Sequence, residues 1–135
     1  NEFDGRISPD GRWVAYTTDE SGRDEIFVQS FPESGNKKRV SVSGGLGPFW
    51  RNDGRELFFI TEDHNVMSVS VSPGKTTPEF STPVRLFVNK DISVGLQTGG
   101  RWTYAPSPDG RRFLVLTTVG NDGPEGLHYI HNWKP

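Results

Sequence analysis

The chain repeats one pattern three times: a turn closing on Asp-Gly-Arg, an apolar run ending on Thr, and a second run of strand-forming residues. Ser8-Pro9-Asp10-Gly11-Arg12 precedes Trp13-Val14-Ala15-Tyr16-Thr17-Thr18. Arg51-Asn52-Asp53-Gly54-Arg55 precedes Glu56-Leu57-Phe58-Phe59-Ile60-Thr61, and Ser107-Pro108-Asp109-Gly110-Arg111 precedes Arg112-Phe113-Leu114-Val115-Leu116-Thr117. A unit of this length cannot bury its apolar face alone, so its repetition implies a stacked or radial architecture rather than one closed core.

The spacing narrows the choice. Asp10 to Asp53 is 43 residues, the length of one four-stranded propeller blade at ~40–45 residues. Asp53 to Asp109 is 56 residues, which calls for an insertion. Polar residues and the Gly99-Gly100 pair place it as a loop at 89–98. Sixteen Gly and ten Pro fall between short β-rich runs, and no stretch keeps helical spacing over three turns, so the chain reads as all-β. The predicted blades are 1–44, 45–98 and 99–135. Their strands are Phe3–Ile7, Trp13–Thr18, Glu25–Phe31 and Lys38–Val42; Pro48–Arg51, Glu56–Thr61, Val66–Val71 and Val84–Val88; and Trp102–Ala105, Arg112–Val119 and Leu127–Trp133. The third blade lacks its outer strand.

Each turn has a mechanism. Proline sets the first turn position, Asp bonds nearby backbone amides, and Gly takes the left-handed conformation that closes the hairpin. Asp10, Gly11, Asp53, Gly54, Asp109 and Gly110 are therefore read as structural turn residues. A calcium loop needs several oxygen ligands close in sequence, and these aspartates stand nearly alone, so no metal is expected. Asp19-Glu20 and Glu62-Asp63 read as solvated hairpin turns.

Composition excludes several classes of function. With 32% hydrophobic residues the chain can bury a modest core. No run approaches the roughly 18 apolar residues of a membrane helix, and no basic-then-apolar leader opens the sequence. A mature chain or an excised piece is expected, since Asn1-Glu2-Phe3 stands so near the first turn. The net charge of −2, with cations scattered apart from Lys37-Lys38-Arg39, gives no nucleic-acid footprint. Zero cysteines excludes disulfides and thiol catalysis. His128 and His131 are three apart and point to opposite faces of a strand, so they cannot readily share a metal; with His64 they take structural or solvent roles. Ser72 and Ser107 sit beside prolines in turns and no Gly-x-Ser-x-Gly elbow exists, which leaves a hydrolase triad without a nucleophile. A carboxylate pair for glycoside chemistry would assemble in space and stays open.

Aromatic residues are more informative. Trp13, Trp50, Trp102 and Trp133, with nine Phe and three Tyr, exceed what a small sheet protein requires, and packing between blades is the first explanation. A binding surface is the second. Arg6, Phe49, Trp50, Arg51, Arg101, Trp102 and Tyr104 fall on innermost strands at the mouth of a central channel, where Arg, Trp and Tyr serve as anchors for a peptide or glycan.

These turns, followed by strands such as Glu25-Ile26-Phe27-Val28, resemble the WD-like repeats of the TolB-type β-propeller family over nearly the whole chain. The run Gly11-Arg12-Trp13-Val14-Ala15-Tyr16, the segment Asp19-Glu20-Ser21-Gly22-Arg23, the Phe31-Pro32 step and the closing Asn132-Trp133 are also similar to the last blades of propellers attached to bacterial receptor-type serine/threonine kinases. No kinase motif is present, so kinase activity is not implied. The resemblance implies a docking or gating surface with no fixed catalytic set and no cofactor, in the periplasm or elsewhere outside the cytoplasm. Alternatives are the gating propeller of a prolyl-oligopeptidase-type serine hydrolase and an oligomeric glycan binder.

Three blades do not close a ring, since propellers typically close with ~4–8. Each end exposes the apolar face that a neighbour would cover. Two copies forming a six-bladed ring, or the remainder of a larger propeller, are the expected partners. In the two-copy ring the first blade of one copy packs on the third of the other, and the partner's N-terminal residues complete the third blade's edge.

Overall fold

A computed structural model describes residues 2–74, 76–90 and 104–115 and the backbone of 116, 117 and 126–131. Every element in it is a β-strand. The first sheet runs β1 (Glu2–Ile7), β2 (Trp13–Thr18), β3 (Glu25–Ser30) and β4 (Lys38–Arg39) in spatial order, all antiparallel. The second has β5 (Leu46–Trp50), β6 (Glu56–Ile60), β7 (Asn65–Ser72), β8 (Glu79–Phe80) and β9 (Val84–Val88). The third has β10 (Tyr104–Pro106), β11 (Arg112–Thr117) and β12 (Gly126–His131). These are propeller blades, each beginning on its inner strand. Among the described residues the third has no outer strand.

Two differences from the sequence reading have local causes. The predicted strand Lys38–Val42 pairs only through Lys38 and Arg39, because the chain then bends so that the Val40 amide and the Ser41 hydroxyl both serve Ile26. The outer strand of the second blade is longer than predicted. β8 and β9 both pair with β7, in one direction of travel, and are parted at Ser81-Thr82-Pro83, where proline has no amide to give to the ladder. Ser81 spans the gap: its amide donates to the Ser70 carbonyl at 3.0 Å and its Oγ accepts the Ser70 amide at 2.9 Å. The predicted insertion falls mostly on 91–98, outside the described residues, as do residues 102, 103, 118, 119, 132 and 133 of the predicted third-blade strands.

Alternation along β6 joins the blades. Leu57 and Phe59 pack with Ala15, Ile26, Val28 and Val40 of the first blade, while Phe58 and Ile60 pack with Tyr104, Phe113 and Val115 of the third. Successive strand residues point to opposite faces, so one apolar run serves two interfaces. All four residues are buried. Phe113 receives Phe58 and Phe87 edge-on, with ring centroids 5.2 and 5.3 Å away. Such aromatic pairs contribute about 0.5–1.5 kcal/mol beyond area burial.

Close approach of the first two blades depends on Gly45. A Cβ there would lie 2.7 Å from Ile26 Cγ1 and 2.9 Å from the Phe59 ring. The adjoining turn is held by Glu25, a fully buried carboxylate that accepts bonds from the Ser41 hydroxyl, from Arg23 Nε at 2.7 Å and from the Gly44 amide at 3.1 Å. Buried charge is tolerated only when so satisfied. Gly45→Ala is expected to destabilise the protein by about 1–3 kcal/mol in urea unfolding, as overpacking does. Gly5→Ala, whose methyl meets only Val14 Cγ2 at 3.8 Å, should shift stability by less than about 0.5 kcal/mol. Equal effects of the two would refute this account of the interface.

Candidate ligand-binding groove

Three Asp-Gly turns gather at one end of the blades. In the first, Ser8 Oγ donates to Asp10 Oδ1 at 2.5 Å and accepts the Trp13 amide at 3.0 Å, while Asp10 Oδ1 also accepts the Arg12 amide at 3.1 Å. The third repeats this with Ser107, Asp109, Arg111 and Arg112. In the second, Arg51 stands where the serine would be, and its guanidinium grips Asp53 through Nε at 2.7 Å and a terminal nitrogen at 2.5 Å. Its other terminal nitrogen bonds Glu56 at 2.7 Å. Gly11, Gly54 and Gly110 have φ of 73°, 72° and 69°, left-handed values that favour glycine. The turns also touch: the Asn52 amide donates to the Pro108 carbonyl at 3.1 Å.

The predicted channel-mouth residues divide. Arg6 is exposed, with its guanidinium carbon 4.4 Å from the centre of the Phe49 ring, and its carbonyl accepts the Trp50 indole N–H at 2.9 Å. Arg51 is committed to Asp53 and Glu56. Tyr104 is 2% exposed, so it packs rather than presenting a surface. Its ring meets Phe49 edge-on at 5.1 Å, and its hydroxyl donates to the Gly47 carbonyl of the neighbouring blade. Burial raises its pKa well above the ordinary tyrosine value. Arg101 and Trp102 lie outside the described residues.

Trp50 instead points to a groove between the first two blades. This cavity of about 370 Å³ is lined by Trp13 and Trp50, by Asp10, Arg12, Asp53 and Arg55 of the turns, and by residues 71–74 and 76–78, among them the hydroxyl-bearing Ser72, Thr76 and Thr77. Lys38 Nζ of the first blade bonds the Pro78 carbonyl at 3.1 Å and ties that residue in place. Arg12 and Arg55 are exposed, and their side chains form no hydrogen bond or ion pair among the described residues. The sequence assigned Trp13 to packing; it packs and also lines the groove.

The acids here are occupied. Arg51 pulls the Asp53 carboxyl down to about 2. The hydroxyls of Ser8 and Ser107 hold Asp10 and Asp109 below the usual value. Burial works against ionisation of Glu25, but the Ser41 hydroxyl, Arg23 and the Gly44 amide outweigh it and its pKa is lowered. No group of three or more His, Asp or Glu among the described residues is placed to hold a metal. His64 closes the β6–β7 turn at φ 61°, with its amide bonded to the Thr61 carbonyl.

Each of these carboxyls has a folded pKa below its unfolded one. Their stabilisation is complete above the unfolded values and is lost as pH falls through the folded values. The melting temperature should therefore be level from pH 7 to about 5 and fall from pH 4 towards 2. Glu25→Gln should cost about 2–3 kcal/mol at pH 7 and flatten that acid slope. A variant as stable as the parent with an unchanged slope would contradict this assignment.

Neither a family model nor a curated protein matches the sequence. Solved structures do. TolB from Acinetobacter baumannii superposes with a TM-score of 0.60 at 19% identity, over 94% of this chain and 29% of that one. A putative TolB from Agrobacterium tumefaciens gives 0.62 at 18%, over 97% and 46%. An oligogalacturonate lyase from Vibrio parahaemolyticus gives 0.55 at 15%, over 86% and 28%. The chain spans less than half the length of each. Identities this low establish architecture rather than activity. The chain has the fold of a TolB-like β-propeller, of which it forms three blades.

Proposed function

We propose that this chain is a recognition module: part of a propeller that binds a ligand in the groove between its first two blades and performs no chemistry of its own. The supporting observation is the division of labour among the polar groups there. Asp10 and Asp53 are spent on their turns and held below the ordinary carboxylate range, whereas a general acid or base at neutral pH needs a pKa near 7. Arg12, Arg55 and the two indoles are left facing the cavity. Arginine and tryptophan are the side chains that anchor partners.

A second copy completes the ring in this proposal. Val14, Tyr16 and Phe27 occupy the positions of the first blade that Leu57, Phe59 and Met67 occupy in the second, where a neighbouring blade covers them. Lys37 lies over this face, 4.8 Å from the centre of the Phe27 ring and paired with Glu20; it must swing aside for another blade to dock. The TolB-like fold favours a setting outside the cytoplasm.

Two measurements test these readings. Titration of uniformly 15N-labelled protein with short peptides and oligosaccharides should move the indole N–H signals of Trp13 and Trp50 for at least one ligand class, with the ligand recovered intact. No response to any ligand, or turnover of one, would refute the recognition role. Light scattering should give a dimer mass at tens of micromolar, and a monomer across the whole range would refute the two-copy ring.

A further inference from the structure

We infer that the groove between the first two blades takes an acidic saccharide, a short oligosaccharide bearing carboxylates. This rests on the recognition role proposed above and specifies its ligand. Charge is the first consideration. Asp53 is paired with Arg51, and Asp10 keeps its charge while committing Oδ1 to the Ser8 hydroxyl and the Arg12 amide. Arg12 and Arg55 also line the cavity, one from the turn of each blade, and their guanidinium donors are unused among the described residues. A planar fork of donors suits a carboxylate. Two such forks, one from each blade, suit a ligand that carries more than one carboxylate along its length.

The remaining walls suit a sugar. Trp13 and Trp50 supply apolar surface, and Ser72, Thr76 and Thr77 supply hydroxyls; a sugar ring presents apolar C–H groups together with hydroxyls. A volume of about 370 Å³ falls within the range of small-ligand clefts.

The test follows the Trp13 and Trp50 indole signals while the whole chain is titrated with a β-1,4-linked glucuronate trimer. Its neutral counterpart is cellotriose, which has hydroxymethyl groups in place of the carboxylates, and an Asp/Glu tripeptide serves as the acidic peptide. The glucuronate trimer should bind at least about tenfold more tightly than cellotriose. Arg12→Gln and Arg55→Gln should each weaken it about tenfold, and added salt should weaken it further. Both arginines are exposed, so the variants should keep the parent's melting temperature. Equal binding of the two trimers, tighter binding of the peptide, or unchanged affinity in both variants would overturn the saccharide assignment while leaving the recognition role intact. Silence from all three ligands would overturn the saccharide assignment, and silence from the wider panel as well would overturn the recognition role.

Discussion

The structure depends on a single strand that is apolar on both faces. β6 gives Leu57 and Phe59 to the first blade and Phe58 and Ile60 to the third, so the second blade is the common partner of both interfaces. A strand buried on both sides reads as a continuous apolar run rather than an alternating one, which is what Leu57-Phe58-Phe59-Ile60 is. The outer blades are each apolar toward the centre. Ala15 is small where Phe59 is large, and Gly45 gives up its side chain altogether to admit Ile26 and Phe59. Packing of this kind tolerates little change in volume.

The same stacking creates the groove. The groove lies beside the Asp-Gly turns of the first two blades, with Trp13 and Trp50 partly uncovered in it. The turns then determine what the groove offers. Every Asp-Gly turn commits its aspartate to local amides and hydroxyls or to Arg51, and what is left for a ligand is the donors of Arg12 and Arg55 and the aromatic rings. Turn chemistry that closes hairpins thereby sets the electrostatic character of the surface.

Much of this was legible before any coordinates. The repeated Asp-Gly turns marked where the second strand of each blade begins, because only a few residue types suit those turn positions, and β2, β6 and β11 start at Trp13, Glu56 and Arg112. The strand of the first blade's outer edge and the length of the second blade's were harder. They depend on Ser41 reaching Ile26 and on Ser81 covering for Pro83, contacts that follow from three-dimensional placement. Glu25 opens a strand after an Arg-Asp pair, and its full burial was not legible because Ser41 and Gly44, far along the chain, converge on it. Tyr104 was placed at a channel mouth by its nearness to a turn; the carbonyl of Gly47 draws it inward instead. Arg51 was detectable, since it stands alone where the other copies have serine. The groove itself was not, because its walls come from two blades and only their packing brings Arg12 and Arg55 to one cavity.

Amide hydrogen exchange tests the central claim most directly, that the three sheets form one cooperative body through β6. The slowest amides of β2, β6 and β11 should open with a common free energy that falls together in mild denaturant, since loss of either interface uncovers β6. Three separate free energies, with β6 protection unaffected when β2 or β11 exchanges, would show that the blades are independent units and would contradict the account.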